Sequence, residues 1–353
     1  MKPWEAYIRK AVPYVPGEQP EGNRIIKLNT NENPYPPAPG VLKALREMNG
    51  EQFRKYPDPS ANMLVEALAD SYGVKEEQIF VGVGSDDVLG MAFLTFFNSE
   101  RPILFPDVTY SFYPVWADLF RIPYETPKLD EAFRINPEDY KKANGGVVIA
   151  NPNAPTGTAL PLKAVEEIIK ANQDVVVIID EAYVDFGGQS AVPLIHRYEN
   201  LLVVQTFSKS RSMAGMRIGF AMGCETLITA LKHVKYSYNS YTMNQPSIIL
   251  GTEAVKDREY FERRVADIVR TREAAKIRFR ELGFSCTDSC TNFLFVTHEK
   301  AGAKELFEAL KREQIYVRYF AVPRLDNYLR VTIGTDEEME TMYQFLTSYL
   351  KGL

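Results

Sequence analysis

Lysine, carboxylate and phenol side chains recur in this sequence where short apolar runs stop. Lys209 stands in QTFSKS after the run Leu201–Val204, next to Ser208 and with Arg217 further on. A lysine there is a candidate nucleophile or proton carrier, because its amine gives up its charge readily when the surroundings depress its pKa. Asp180 opens DEAY after Val175–Ile179, with Tyr183 closing that motif. A carboxylate at the mouth of a buried strand is costly unless a cation meets it. Gly84, Ser85 and Asp86 follow Ile79–Val83 and open a helix. Free N–H groups at a helix start favour a phosphate, and Gly84 and Ser85 let the backbone approach closely. Tyr110 lies in PDVTYSFY after Pro102–Phe105 and can stack on a flat ring. The turn NPNAPTG follows Gly146–Ala150 and is stiffened by Pro152 and Pro155. Singly, these read equally as helix cap, core tyrosine and turn.

The elements that must position them follow from the apolar pattern. Gly146–Ala150 and Val175–Ile179 are continuously apolar, as in strands buried on both faces. Leu162–Asn172 between them has helical spacing, as do Val41–Glu47, Met63–Tyr72 and the strongly apolar Asp86–Phe97. Pro102–Phe105, Leu201–Val204 and Ile218–Met222 complete a series of strands alternating with helices. Such alternation predicts an α/β fold with a mostly parallel sheet in three αβα layers. In such a sheet ligands bind at the carboxyl ends of the strands, where the polar residues above fall. Beyond Gln245 the strand signal fades into a charged helical stretch, Asp257–Leu282. Strands at Phe293–Val296, Ile315–Arg318 and Leu329–Ile333, a helix at Ala303–Glu313, and a last helix capped by Thr335 with Glu338 then predict a smaller α+β domain. The expected organisation is an irregular, Pro-rich arm over 1–40, a large domain over 41–250 and a small domain over 251–353.

A length of 353 residues suits about two domains, and 45% hydrophobic with 25% charged residues is ordinary for a soluble enzyme. The net charge of −5 offers no basic field for nucleic acid. The Lys256, Arg258, Arg263 and Arg264 cluster alternates with acids and reads as a solvated helix face. The three cysteines and three histidines show no CxxC and no metal-ligand spacing, so neither disulfide framework nor metal site is expected. No apolar leader and no membrane-length apolar run is visible, which points to a cytoplasmic protein.

An anion cradle, a stacking aromatic, an acid, a phenol and a lysine at successive strand ends match the needs of pyridoxal 5'-phosphate. The motifs NPNAPTG, DEAYVDF and TFSKSRSMAGMRIGF resemble those of the fold-type I aminotransferases, and the resemblance spans nearly the whole chain. Within that family, LNTNENP, KYPDP, VGVGSDDVL, KYSYNSYTMNQPS and YVRYFAVPRLDNYLRVTIGT are most similar to the histidinol-phosphate subgroup.

The resemblance implies roles residue by residue. Lys209 would form the Schiff base with the cofactor and then shuttle the substrate's proton. Asp180 would pair with the pyridinium nitrogen, Tyr183 would donate to the ring hydroxyl, and Tyr110 would stack on the ring. Gly84, Ser85, Asp86, Ser208 and Arg217 would hold the phosphate. Tyr56 of KYPDP would reach the neighbouring subunit's phosphate, which implies a homodimer with shared sites. Arg330 would grip the substrate's α-carboxylate and Arg318 the substrate's phosphate, with Tyr14 of the arm covering the pocket. One position departs from the family pattern: Ala154 stands where an Asn usually contacts the ring hydroxyl, and nothing in the sequence shows neighbouring Asn153 replacing it.

The implied reaction is exchange of an amino group between glutamate and imidazole-acetol phosphate, giving 2-oxoglutarate and histidinol phosphate. Two rivals share the family: an aromatic-amino-acid aminotransferase and a threonine-phosphate decarboxylase. A non-catalytic transcription regulator of the same ancestry would need an added DNA-binding domain, for which there is no room before LNTNENP.

Overall fold

The structure is a computed structural model that describes residues 2–22 and 24–352. Within the segment expected as an irregular arm over 1–40, the chain forms a short strand, β1 (Ile26–Lys27). Helices α1 (Pro39–Glu47) and α2 (Asn62–Tyr72) lead into β2 (Ile79–Gly82) and α3 (Ser85–Phe96). Next come β3 (Ile103–Leu104), α4 (Phe112–Phe120), β4 (Tyr124–Glu125) and β5 (Gly146–Ala150). Then α5 (Leu162–Ala171), β6 (Val177–Asp180), β7 (Leu201–Thr206) and β8 (Gly219–Gly223) complete a sheet ordered β2-β8-β7-β6-β5-β3-β4. Every neighbouring pair in it is parallel except the two made by β8.

The apolar runs are buried along their whole length because helices cover both sheet faces. Alternate residues separate cleanly. Val147, Ile149, Val177, Ile179, Leu201 and Val203 enter one core, whereas Val148, Ile178, Leu202 and Val204 enter the other. Helix α6 (Glu225–Tyr238) packs on α3. Helix α7 (Gln245–Lys256) lies against α1 and α2 and adds Ile248, Leu250, Ala254 and Val255 to the first core.

A long helix, α8 (Arg258–Glu281), precedes β9 (Phe284–Cys286), β10 (Phe293–His298) and α9 (Ala303–Arg312). Here one expectation is corrected. The segment expected as a single strand, Ile315–Arg318, is two: β11 (Ile315–Tyr316) and β12 (Arg318–Tyr319). β11 pairs in parallel with β1, and β12 pairs with β13 (Leu329–Thr332) in an antiparallel sheet ordered β12-β13-β10-β9. The chain changes sheets at buried Val317, where Leu28 donates to the Tyr316 carbonyl and accepts from the Thr332 N–H and so stands between β11 and β13. The terminal helix α10 (Asp336–Lys351) begins with the expected capping box of Thr335 and Glu338.

The arm folds back on its own chain. The Asn29 amide donates to the Glu18 carbonyl at 2.8 Å, and the Tyr14 ring stacks on Phe112 at 4.4 Å between centroids.

Candidate active site

The carboxyl ends of β2, β5, β6 and β7 open into a cavity of about 180 Å³. Its anion end is the start of α3. Gly84 precedes that helix at φ 89° and ψ 162°, a conformation reserved for glycine, and a Cβ there would stand 2.5 Å from Arg217 Nη2. Gly219 opens β8, where a Cβ would stand 2.2 Å from the Ser85 nitrogen. Because β8 runs against its neighbours, Arg217 just ahead of it arrives at the carboxyl edge of the parallel strands. There Arg217 Nη2 lies 3.4 Å from Asp86 Oδ2, and its Nη1 lies 3.5 Å from Ser208 Oγ. These long contacts leave the guanidinium half-exposed beside Ser85, Ser208 and the free amides of the helix start, a setting made for an anion.

Asp180, the last residue of β6, is buried at the opposite end. The Tyr113 hydroxyl donates to its Oδ2 at 2.7 Å and the Ala182 amide to its Oδ1 at 3.2 Å. No cation meets it among the described residues. Burial pushes its pKa up to about 6, against the lowering effect of those two hydrogen bonds. Tyr110 lines the cavity and donates its hydroxyl to Asp86 Oδ1 at 2.8 Å, which ties the ring to the helix start.

Between the two ends sits Lys209. Its Nζ donates to the Thr30 carbonyl at 3.1 Å and lies 5.7 Å from the centre of the Tyr183 ring. The Asn33 amide donates to the carbonyls of Lys209 and Ser210 at 3.0 and 3.1 Å, and so holds the loop that carries the lysine.

A second cavity, of about 200 Å³, shares the wall made by Thr30, Tyr110, Ala154, Tyr183 and Lys209. Tyr14, Arg318, Arg330 and Phe320 close it. Arg330 is half-buried, donates from Nη2 to the Asn29 carbonyl at 3.0 Å, and has no partner at its buried Nε. Burial, reinforced by the charge of Arg318, lowers its pKa. A small polyanion would satisfy both arginines there.

The fold thus brings Tyr14, Ser85, Asp86, Tyr110, Asp180, Tyr183, Ser208, Lys209, Arg217, Arg318 and Arg330 around two adjoining cavities, with Gly84 behind the first. Tyr56 is not among them. It is 81% exposed and stacks on Tyr241 at 4.6 Å. Asn153 also stays away: its amide donates to the Val108 carbonyl and Thr156 Oγ1, and its oxygen accepts from Thr109 Oγ1. Sequence reasoning missed Tyr113, Asn31, Thr30 and Thr206. Tyr113 was within sight, as the second tyrosine of YSFY, but which of two nearby phenols reaches a carboxylate depends on the turn of α4.

The residues fit pyridoxal phosphate on three observations. A buried carboxylate lacks a cation at one end, a glycine-lined helix start offers donors at the other, and an amine lies between them. Buried Thr30 Oγ1, also without a partner, borders the same space.

Residues 23–346 match the family model described as aminotransferase class I and II. A histidinol-phosphate aminotransferase of Methylococcus capsulatus is 50% identical over 349 residues, 99% of this chain and 98% of that relative. A histidinol-phosphate aminotransferase of Clostridium botulinum is 49% identical over 339 residues, 96% of each chain. Among solved structures, a histidinol-phosphate aminotransferase of Sinorhizobium meliloti in complex with pyridoxal-5'-phosphate superposes with a TM-score of 0.85. It is 24% identical and covers 93% of this chain and 92% of that one, a likeness of fold.

Proposed function

This chain belongs to the class I and II aminotransferases, and from that premise we propose that it is a cytoplasmic transaminase acting on histidinol phosphate and 2-oxoglutarate, with imidazole-acetol phosphate and glutamate as products. The cofactor is pyridoxal phosphate, which when bound supplies the electron sink for carbanion chemistry. The observation that carries the substrate assignment is the Arg318–Arg330 pair facing a cavity that shares Lys209 with the cofactor cavity. Histidinol phosphate has a phosphate and no α-carboxylate, whereas glutamate has two carboxylates. One pair of planar donor forks can take either anion set in turn.

In this reading Ser85, Asp86, Ser208 and Arg217 hold the cofactor's phosphate. Asp180 stays ionised against the ring nitrogen, aided by the Tyr113 and Ala182 donors. Tyr183 donates to the ring hydroxyl and Tyr110 walls the ring. Lys209 Nζ takes the proton at the substrate's Cα and returns it, and Tyr14 keeps water from the substrate.

Tyr56 belongs to a homodimer in which it reaches the partner's phosphate site. The exposed Tyr56 ring, stacked on the half-exposed Tyr241, supports this, since exposed aromatic surface of that kind suits an interface.

The test is a spectrum of the holoprotein in the cofactor's visible band, with histidinol phosphate, phenylalanine and threonine phosphate added singly. Bleaching of the band at the lowest concentration by histidinol phosphate is expected. A stronger response to phenylalanine would favour the aromatic substrates, for which the Tyr14, Tyr110 and Phe320 walls offer a second reading. Carbon dioxide release from threonine phosphate would replace the transamination assignment.

A further inference from the structure

Asn31 donates its side-chain amide to the Tyr183 hydroxyl oxygen at 2.8 Å, inside the protein. Thr332 Oγ1 accepts from the Asn31 backbone N–H at 3.0 Å and donates its own proton to Asn31 Oδ1 at 3.1 Å. The oxygen of Asn31 therefore faces Thr332 and the nitrogen faces Tyr183. The residue is held in place by its left-handed backbone, φ 57°, and by the Asn292 amide on its carbonyl at 3.0 Å.

A phenol has one proton to give. With a nitrogen donor already on its oxygen, Tyr183 cannot spend that proton on Asn31, and among the described residues nothing else receives it. Phe293 packs edge-on to the ring at 5.2 Å and limits how it can turn. The proton is left to point into the cavities that Tyr183 lines. An accepted hydrogen bond also strengthens a hydroxyl as donor. Ala154, on the same shared wall, brings no polar group, and the amide of Asn153 is consumed elsewhere.

We infer that Asn31 is a positioning residue: it polarises Tyr183 and aims its proton at the cofactor's ring oxygen, doing through the tyrosine what no amide at position 154 can do directly. This rests on the reading that Tyr183 touches that ring.

The test compares the pH midpoint of the cofactor's visible band in holoprotein carrying Asn31→Ala, Asn31→Asp, Tyr183→Phe and the Asn31→Ala/Tyr183→Phe pair. A donor on the ring oxygen draws electron density from the neighbouring proton site, so losing it raises the midpoint. Tyr183→Phe should raise it by about one pH unit, as expected for one hydrogen bond to a charged group. Asn31→Ala should raise it by at least half as much, and the double variant by no more than Tyr183→Phe alone. Asn31→Asp keeps the shape and tolerates the left-handed backbone, so it folds if Asn31→Ala does not. Its carboxylate draws the Tyr183 proton away from the cavity and should raise the midpoint at least as far as Asn31→Ala. A shift with Tyr183→Phe but none with either Asn31 variant overturns this inference and leaves the Tyr183 reading standing. No shift with Tyr183→Phe overturns the Tyr183 reading, and this inference with it.

Discussion

Arg318 and Arg330 are direct partners across the antiparallel pair β12–β13, so two guanidinium groups share one face of the small sheet. Like charges at such positions destabilise a sheet, and here both are half-buried. An anion shared between them would relieve that repulsion.

That conflict predicts a trade between stability and binding. Arg318→Gln should raise the melting temperature of the anion-free holoprotein, while inorganic phosphate should stabilise the wild type more than the variant. Its KM for histidinol phosphate should rise roughly 10- to 100-fold, the worth of a charge-assisted contact, with little change for the unphosphorylated alcohol. Equal losses on both substrates would remove Arg318 from phosphate recognition.

Asp180 makes the apoprotein sensitive to pH. Its folded pKa is raised, from 3.8 to about 6, so its contribution to stability is complete below the lower value and is lost as pH rises through the higher one. The loss is on the order of 3 kcal/mol. Glu181, also buried and raised to about 7, has the same sign, so the difference between wild type and Asp180→Asn isolates the effect. Apoprotein melting curves of the two should diverge between pH 4 and 7 and draw together once the cofactor brings its cation. Parallel curves without cofactor would show that Asp180 has another partner.

Gly84→Ala meets both a backbone reserved for glycine and Arg217 Nη2 at 2.5 Å. A cost of about 1–3 kcal/mol is expected, with weakened cofactor affinity because Arg217 must move. Gly215→Ala, where an added Cβ meets nothing within 4 Å, is the control. Equilibrium dialysis of cofactor against both variants checks the difference.

Lys209→Ala should lower turnover by at least about 100-fold and abolish covalent attachment of the cofactor, which should still bind through its phosphate contacts. Wild-type turnover in this variant would end the proposed mechanism.

Tyr56→Ala and Lys209→Ala chains, each weakly active alone, should complement when unfolded and refolded together. Half the dimers would be hybrids with one intact site each, so about a quarter of wild-type activity should return. No recovery would mean that Tyr56 acts within its own subunit or not at all.

Lys209, Asp180 and Tyr183 were legible because each follows an apolar run whose only stable setting is a buried strand, and strand ends of such sheets converge on one edge. Arg217 instead precedes its strand and reaches that edge only through the reversal of β8, which no local pattern marks. Asn31 and Thr30 were invisible as site residues, since they sit in a Pro-rich segment without periodicity and reach Lys209 and Tyr183 only through the folded chain. The same holds for β1, whose pairing with β11 divides what reads as one strand.

By itself the sequence determined the chemistry and the layered α/β plan, because side-chain type and apolar period are local properties that neighbours along the chain express. The tertiary structure decided which phenol meets Asp180, that Asn153 turns away, that Arg318 opposes Arg330, and that Asn31 donates to Tyr183. Those are contacts between segments far apart in the chain, chosen by packing and by the need of every buried polar group to find a partner, and no local pattern records them.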